Sequence, residues 1–333
     1  MLMKAAVIGG GSWGSAFARY LGSIGLPTGL WIREEDILRE ALKSRENTVF
    51  LPGFLFPEAV GFSDDLRETA SFADVVFVAV PSQFCRSVYG RMAPVLRKDQ
   101  IVVSLTKGFD KKTLMRMSQV MEEVFRPHVR PRLAVLSGPS FAREVATGYP
   151  TALVVASRDP AAAREIQQLV SSLTIRAYTS SDVTGVEVAG ALKNVIAIAA
   201  GIVDAMKFGL NSRAALITRG LVEITNLGIA LGARKETFSG LAGIGDLVLT
   251  CTGELSRNHR VGHELGKGRP LAEILGGMKM VAEGVHTTVA ARRIARTLGV
   301  EMPISEQIYQ VLYRGKPPKA AVEELMSRTL KAE

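Results

Sequence analysis

The sequence predicts a doubly wound parallel α/β sheet at the N-terminus followed by an all-α C-terminal domain. Three observations carry that expectation. Short apolar runs alternate with helical patterns up to about residue 180. Gly9, Gly11 and Gly14, in G-x-G-x-x-G spacing, join the first apolar run to the first helical pattern. Beyond Tyr178 no strand run occurs, and Gly and Pro separate one helical pattern from the next.

The first run, residues 5–8, reads as a strand buried on both faces. Gly9 permits a tight turn, Gly11 lets backbone approach a pyrophosphate, and Gly14 lets the helix pack closely on the strand. The helix's leading N–H groups and its dipole then hold phosphates, which makes the sheet Rossmann-type and dinucleotide-binding. The second run, 28–33, ends at Arg33. An acid for the ribose hydroxyls of NAD belongs there, roughly 20 residues past the glycines. A guanidinium suits a ribose 2′-phosphate instead, so NADP(H) is favoured, with Glu34 and Glu35 leaving NAD(H) open. Runs 74–82, 101–108, 133–140, 151–156 and 175–178 read as further strands, with helices notably at 112–125 and 161–173. Ligands of such sheets sit beyond the carboxyl ends of strands, where Ser82, Lys107, Gly138 and Ser140 fall.

Helical patterns at 182–208, 211–231, 257–266, 283–298, 303–313 and 319–330 fill the second half. The expected domains are therefore 1–180, dinucleotide-binding, and 181–333, all-helical and carrying the substrate and catalytic residues. Residues 188–206 are apolar enough to raise a membrane span, but Lys193, Asn194, Gly201 and Asp204 within them favour a buried core helix. At about 100° per residue, Val186, Ala189, Gly190, Ile196, Ala197 and Ala200 share the face of Lys193. Desolvation among them would lower an ammonium pKa toward the range of proton transfer. The plainer alternative is a snorkelling lysine, or one paired with Asp246 or Glu187.

The glycine-rich stretch 240–253 holds one acid, Asp246, which is also open to a cap or turn role. Ser256, Arg257 and Asn258 stand at a helix start, a ready anion site. His259 and His263 are spaced i, i+4, but Glu264 follows them rather than lying between, and a third ligand is missing, so no metal is expected.

With 333 residues the chain is long enough for two cores, and 47% hydrophobic with 22% charged residues is a globular balance. Two cysteines, Cys85 and Cys251, fit packing in a reducing cytoplasm, and the N-terminus enters a strand without a signal peptide. The net charge of +9 favours anionic partners, but no basic run with interleaved aromatics points to nucleic acid. Small phosphorylated ligands are the expected partners.

Six pieces, in order and separation, are Gly9-Gly10-Gly11-Ser12-Trp13-Gly14, Thr106-Lys107-Gly108, Ser137-Gly138-Pro139-Ser140-Phe141-Ala142, Gly190-Ala191-Leu192-Lys193-Asn194, Gly243-Ile244-Gly245-Asp246-Leu247 and Ser256-Arg257-Asn258. Together they resemble the bacterial NAD(P)-dependent glycerol-3-phosphate dehydrogenases over essentially the whole chain. The resemblance implies reversible reduction of dihydroxyacetone phosphate to sn-glycerol 3-phosphate, feeding phospholipid synthesis, with Lys193 as general acid/base. To Gly9, Gly11 and Gly14 it adds Ser12, Trp13, Arg33, Lys107, Ala142, Arg257, Val281 and Glu283 on the cofactor. On the substrate it places Lys107, Gly138, Ser140, Lys193, Asp246, Ser256, Arg257 and Asn258. Phe50 stands where many relatives carry Tyr. A homodimer is a candidate assembly. Two rival readings are a dehydrogenase of the same architecture for another hydroxy compound, and an NADP sensor without turnover.

Overall fold

The computed structural model describes residues 3–278 and 280–330. The chain divides at Glu187/Val188 into two compact units, a line that falls inside one long helix, a few residues past the expected boundary near residue 180.

In the first unit the described residues form eight strands. They are β1 (Ala5–Ile8), β2 (Thr28–Trp31), β3 (Val60–Ser63), β4 (Val75–Val78), β5 (Ile101–Ser104), β6 (Arg132–Ser137), β7 (Thr151–Ala156) and β8 (Ile175–Ser180). Their order in the sheet is β3-β2-β1-β4-β5-β6-β7-β8. Helices α1 (Ser12–Ser23), α2 (Glu35–Ser44), α3 (Leu66–Phe72), α4 (Ser82–Met92), α5 (Met117–Phe125), α6 (Ala142–Thr147) and α7 (Pro160–Val170) connect them. The chain leaves β1 toward β2 and β3, then returns to build outward from β4, so the order reverses between β1 and β4. That reversal places the glycine turn after β1 at the crevice where such sheets take ligands.

Both faces of the sheet are covered, which is why the strands read as continuous apolar runs. Ala5 and Val7 belong to the core with Phe17, Leu21 and Leu30, whereas Ala6 and Ile8 face Tyr89, Met92 and Phe125. All four β1 residues are fully buried.

Three features depart from expectation. Strand β3 was not legible, because Val-Gly-Phe-Ser on the sheet edge is half exposed and lacks an apolar run. Strand β7 runs antiparallel to β6, although the other neighbours are parallel. Only the six residues of α6 are helical in that connection, rising about 9 Å, whereas the six residues of β6 span about 20 Å. The chain therefore re-enters the sheet without having returned to its starting edge. Helix α5 begins at Met117 rather than 112, with Leu114 just before it at φ 63°, outside helical space.

The other helices are α8 (Val183–Ala205), α9 (Gly209–Ala230), α10 (Asp246–Thr252), α11 (Arg257–Gly266), α12 (Leu271–Gly276), α13 (Glu283–Leu298), α14 (Pro303–Arg314) and α15 (Pro318–Met326). Helix α8, with a mean hydropathy of 1.7 over its most apolar stretch, is long and apolar enough to cross a membrane, and that stretch is wholly buried by the protein. It behaves as a core helix. Its backbone touches that of α11: a Cβ on Gly201 would collide with the His259 carbonyl, and one on Gly262 with the Ile198 carbonyl. Helices α10 and α12 lie outside the expected set, because seven and six residues give less than two turns of periodicity.

Candidate functional site

In the first unit the glycine turn has the geometry a pyrophosphate needs. Gly9 adopts φ 122°, and a Cβ there would stand 2.7 Å from the Ala79 carbonyl oxygen. A Cβ on Gly14 would collide with the Gly9 carbonyl, so the helix packs on the turn only without one. Gly11 differs: its Cβ would meet nothing within 4 Å. Packing does not require glycine at Gly11, whereas close approach of a ligand to its backbone does. Helix α1 begins at Ser12 with no side-chain cap at Gly11, and its leading N–H groups lie at the positive end of the dipole. These residues fit a dinucleotide.

Trp13 and Ala142, expected to share the cofactor, pack on one small apolar cluster with Ala16, Leu51 and Ala146. The Trp13 indole N–H is buried and has no hydrogen-bond partner among the described residues. Arg33 lies just past β2, and its Nε and Nη2 donate to Glu34 Oε1 at 3.0 and 2.5 Å. Its guanidinium stands 5.7 Å from the Phe84 ring centre. The arginine side chain is 60% exposed, and such a surface pair is worth at most about 1 kcal/mol, little enough for a phosphate to displace.

At the carboxyl ends of β5 and β6, three of the expected substrate residues meet on one atom. Lys107 Nζ and Ser140 Oγ both donate to the Gly138 carbonyl at 3.0 Å. Gly138 holds φ 128°, and a Cβ would come within 3.1 Å of the Ala152 carbonyl oxygen. Ser82, also expected at a strand end, is instead buried in the first turn of α4.

In the second unit Lys193 is 6% exposed on α8. Its ammonium donates to the Asp246 carboxylate and, at 2.8 Å, to Thr250 Oγ1. Thr250 in turn donates to the Asp246 backbone carbonyl at 2.6 Å. Of the two acids considered for Lys193, Asp246 is the partner. Glu187 accepts from Arg116 Nη1 at 2.5 Å and from the Ser118 backbone and hydroxyl. A buried ion pair adds little net stability over apolar packing. What this one supplies is an ammonium fixed at a defined point.

Asp246 is the first residue of α10, led in by a π-helical turn over Leu241–Gly245. Gly243 in that turn leaves helical space at ψ −105°, and a Cβ there would collide with the Phe238 carbonyl. Glycine thus turns the backbone sharply enough to present the acid to Lys193.

Ser256 caps α11, its Oγ accepting from the His259 N–H at 3.2 Å. Arg257 opens the helix; its side chain is exposed, yet crowding by protein desolvates the guanidinium and lowers its pKa, against the charge of Glu283. Asn258 is buried, donating to Asn194 Oδ1 at 2.8 Å and accepting from the Gly284 N–H at 2.9 Å. Its amide therefore ties α8, α11 and the start of α13 together. Val281, half-buried, lies two residues ahead of Glu283, the first residue of α13.

Sequence reasoning missed Thr250 and gave Asn194 no role. Thr250 sits four residues after Asp246 and so shares its helix face, a signal the spacing contained. His259 Nε2 lies 2.8 Å from Asp204, which also accepts from Arg213. Among the described residues no group of three His, Cys, Asp or Glu side chains is placed to hold a metal.

Two family models match, the NAD-dependent glycerol-3-phosphate dehydrogenase N-terminus over residues 4–163 and its C-terminus over 182–323. The chain belongs to this family. A protein of Geobacter sulfurreducens named glycerol-3-phosphate dehydrogenase, NAD(P)+, is 52% identical over 333 residues, covering 100% of this chain and 99% of its own. One of the same name from Syntrophotalea carbinolica is 53% identical over 331 residues, 99% of each. The crystal structure of glycerol-3-phosphate dehydrogenase from Coxiella burnetii superposes with a TM-score of 0.94 at 36% identity, over 98% of this chain and 99% of that one.

Proposed function

We propose that the chain catalyses reversible NAD(P)H-dependent reduction of dihydroxyacetone phosphate to sn-glycerol 3-phosphate, supplying phospholipid synthesis. One observation carries it: in a chain of this family, a buried Lys193 ammonium is fixed by Asp246 and Thr250. When bound, the nicotinamide supplies the hydride.

Lys193 donates a proton to the oxygen that becomes the hydroxyl and accepts it in the reverse direction. Its positive charge also stabilises the developing alkoxide. Asp246 and Thr250 hold the amine in place. Arg257, with the N–H groups at the start of α11 beside Ser256 and Asn258, takes the substrate phosphate through charge-assisted bonds. Lys107, Gly138 and Ser140 hold the rest of the substrate. Gly9, Gly11, Ser12, Trp13 and Gly14 hold the dinucleotide, with Ala142, Lys107, Arg257, Val281 and Glu283 contributing. Arg33 binds the 2′-phosphate and gives the preference for NADP(H). Buried cysteines at Cys85 and Cys251, neither in a disulfide, support a reducing cytoplasm as the compartment. The proposal includes a homodimer, which sedimentation velocity would show as twice the chain mass.

The direct test follows NADPH absorbance with dihydroxyacetone phosphate. Oxidation above a blank is expected, and its absence at saturating substrate overturns the proposal.

A further inference from the structure

The Gly10–Gly11 peptide is held from one side by two side-chain donors. Asn47 Nδ2 donates to the Gly10 carbonyl at 2.7 Å, and Ser15 Oγ donates to the same oxygen at 3.1 Å. Asn47 also donates to Ser15 Oγ at 2.9 Å, closing a three-member network. Its own Oδ1 accepts from the Phe50 N–H at 3.0 Å, and its backbone carbonyl accepts from Leu51 N–H at 2.8 Å. Asn47 and Ser15 are both fully buried, so neither amide nor hydroxyl is competing with water.

A trans peptide is planar, and its N–H points away from its C=O. Anchoring the Gly10 oxygen therefore aims the Gly11 N–H the opposite way. Gly11 is the position where an added Cβ would meet nothing within 4 Å. Open space at its Cα thus adjoins the oriented N–H.

We propose that Asn47 is a positioning residue for the dinucleotide: it locks the Gly10–Gly11 peptide so that the Gly11 N–H is preset toward the pyrophosphate. The inference rests on the reading that the Gly9–Gly14 turn holds that group. Asn47 touches no reacting atom, and its effect is on cofactor affinity. Without it, part of the binding energy goes into ordering the peptide plane, the cost that preorganisation removes.

The test measures NADPH affinity directly, by quenching of protein fluorescence, beside steady-state kinetics and thermal unfolding without cofactor. Asn47→Ala is expected to raise the Kd and KM for NADPH on the order of tenfold. The KM for dihydroxyacetone phosphate and kcat at saturating NADPH should stay within about twofold, a split between parameters that general loss of structure does not give. Asn47→Asp, near in shape but unable to donate, should weaken NADPH at least as much. If Asn47→Ala fails to fold, Asn47→Asp and Ser15→Ala carry the test, the latter with a smaller rise in Kd. Unchanged NADPH affinity in the folded variants overturns the inference, as does a parallel loss in every parameter. Gly11→Val separates the two readings. If it binds NADPH normally, the glycine-turn reading fails; if it loses NADPH while Asn47→Ala and Asn47→Asp do not, only the role of Asn47 fails.

Discussion

Lys193 combines two demands that usually conflict, burial and charge. Its removal separates them. Lys193→Met keeps length and packing and deletes the proton, so kcat should fall by roughly 10²–10⁴ while NADPH still binds. It also leaves Asp246 buried without its cation, which costs stability, on the order of 3–5 kcal/mol for a broken buried pair. The double variant Lys193→Met, Asp246→Asn should recover unfolding temperature and leave kcat low. Recovery of both would make the lysine a structural partner only. Arg257 is tested by substrate choice: wild type should favour dihydroxyacetone phosphate strongly over dihydroxyacetone, and Arg257→Ala should erase most of that difference. A preference as strong as wild type in the variant would refute phosphate binding by this residue. Arg33→Ala should raise the KM for NADPH about tenfold or more, the loss of a charged hydrogen bond, and leave NADH little changed. Equal weakening of both cofactors would make Arg33 structural. At this scale the burial of Lys193 and the helix start at Ser256–Asn258 were legible from the sequence because their neighbours in the chain are informative. Asn47 was not, since its partners Gly10 and Ser15 lie more than thirty positions away, and nothing local marks an asparagine that bonds across the fold.

Helix starts recur as the points where distant elements are tied. Two of them are capped by buried glutamates from other helices. Glu187 takes the Ser118 N–H at the start of α5, and Glu223 of α9 takes the Ile304 and Ser305 N–H groups and the Ser305 hydroxyl at the start of α14. Burial pushes the Glu223 carboxyl up to about 7, the N–H and hydroxyl donors and the nearby Arg219 charge pulling it down. Because the folded value exceeds the unfolded one near 4.5, the folded state binds the extra proton between those values. Stability from this group is therefore present in acid and lost as pH rises through 7. Urea midpoints measured from pH 5 to 8 should fall by an amount set by a few kcal/mol; in Glu223→Gln that fall should largely vanish. An identical slope in the variant would place the titration elsewhere. Neither glutamate announces itself in sequence, because a cap contributed by another helix leaves no motif at the helix it caps. Asp159 is the contrast: it precedes Pro160 and caps its own helix α7, accepting from Ala161 and Ala162.

For the molecule as a whole, the two-part organisation was legible because strands and helices impose different periods on the chain. The antiparallel turn-back at β7 was not, since strand direction depends on how far a connection travels rather than on the strand's composition. Charge is the other whole-chain property, and it makes its own prediction. The formal net charge of +9 belongs to a protein whose proposed substrate and cofactor both carry phosphates. Among the described residues, Arg33 and Arg257 are exposed cations at the two expected phosphate positions. A positive field of this kind raises the encounter rate of anionic ligands and is screened over a Debye length of about 10 Å at 0.1 M salt. Raising sodium chloride should therefore lower kcat/KM for dihydroxyacetone phosphate and for NADPH, chiefly by raising KM, with kcat nearly constant. Sucrose at matched osmolality should not reproduce the effect. A kcat/KM that is flat in salt would mean that the excess positive charge lies where these ligands do not feel it, and that their capture rests on the local bonds at Lys107, Arg257 and the helix starts alone.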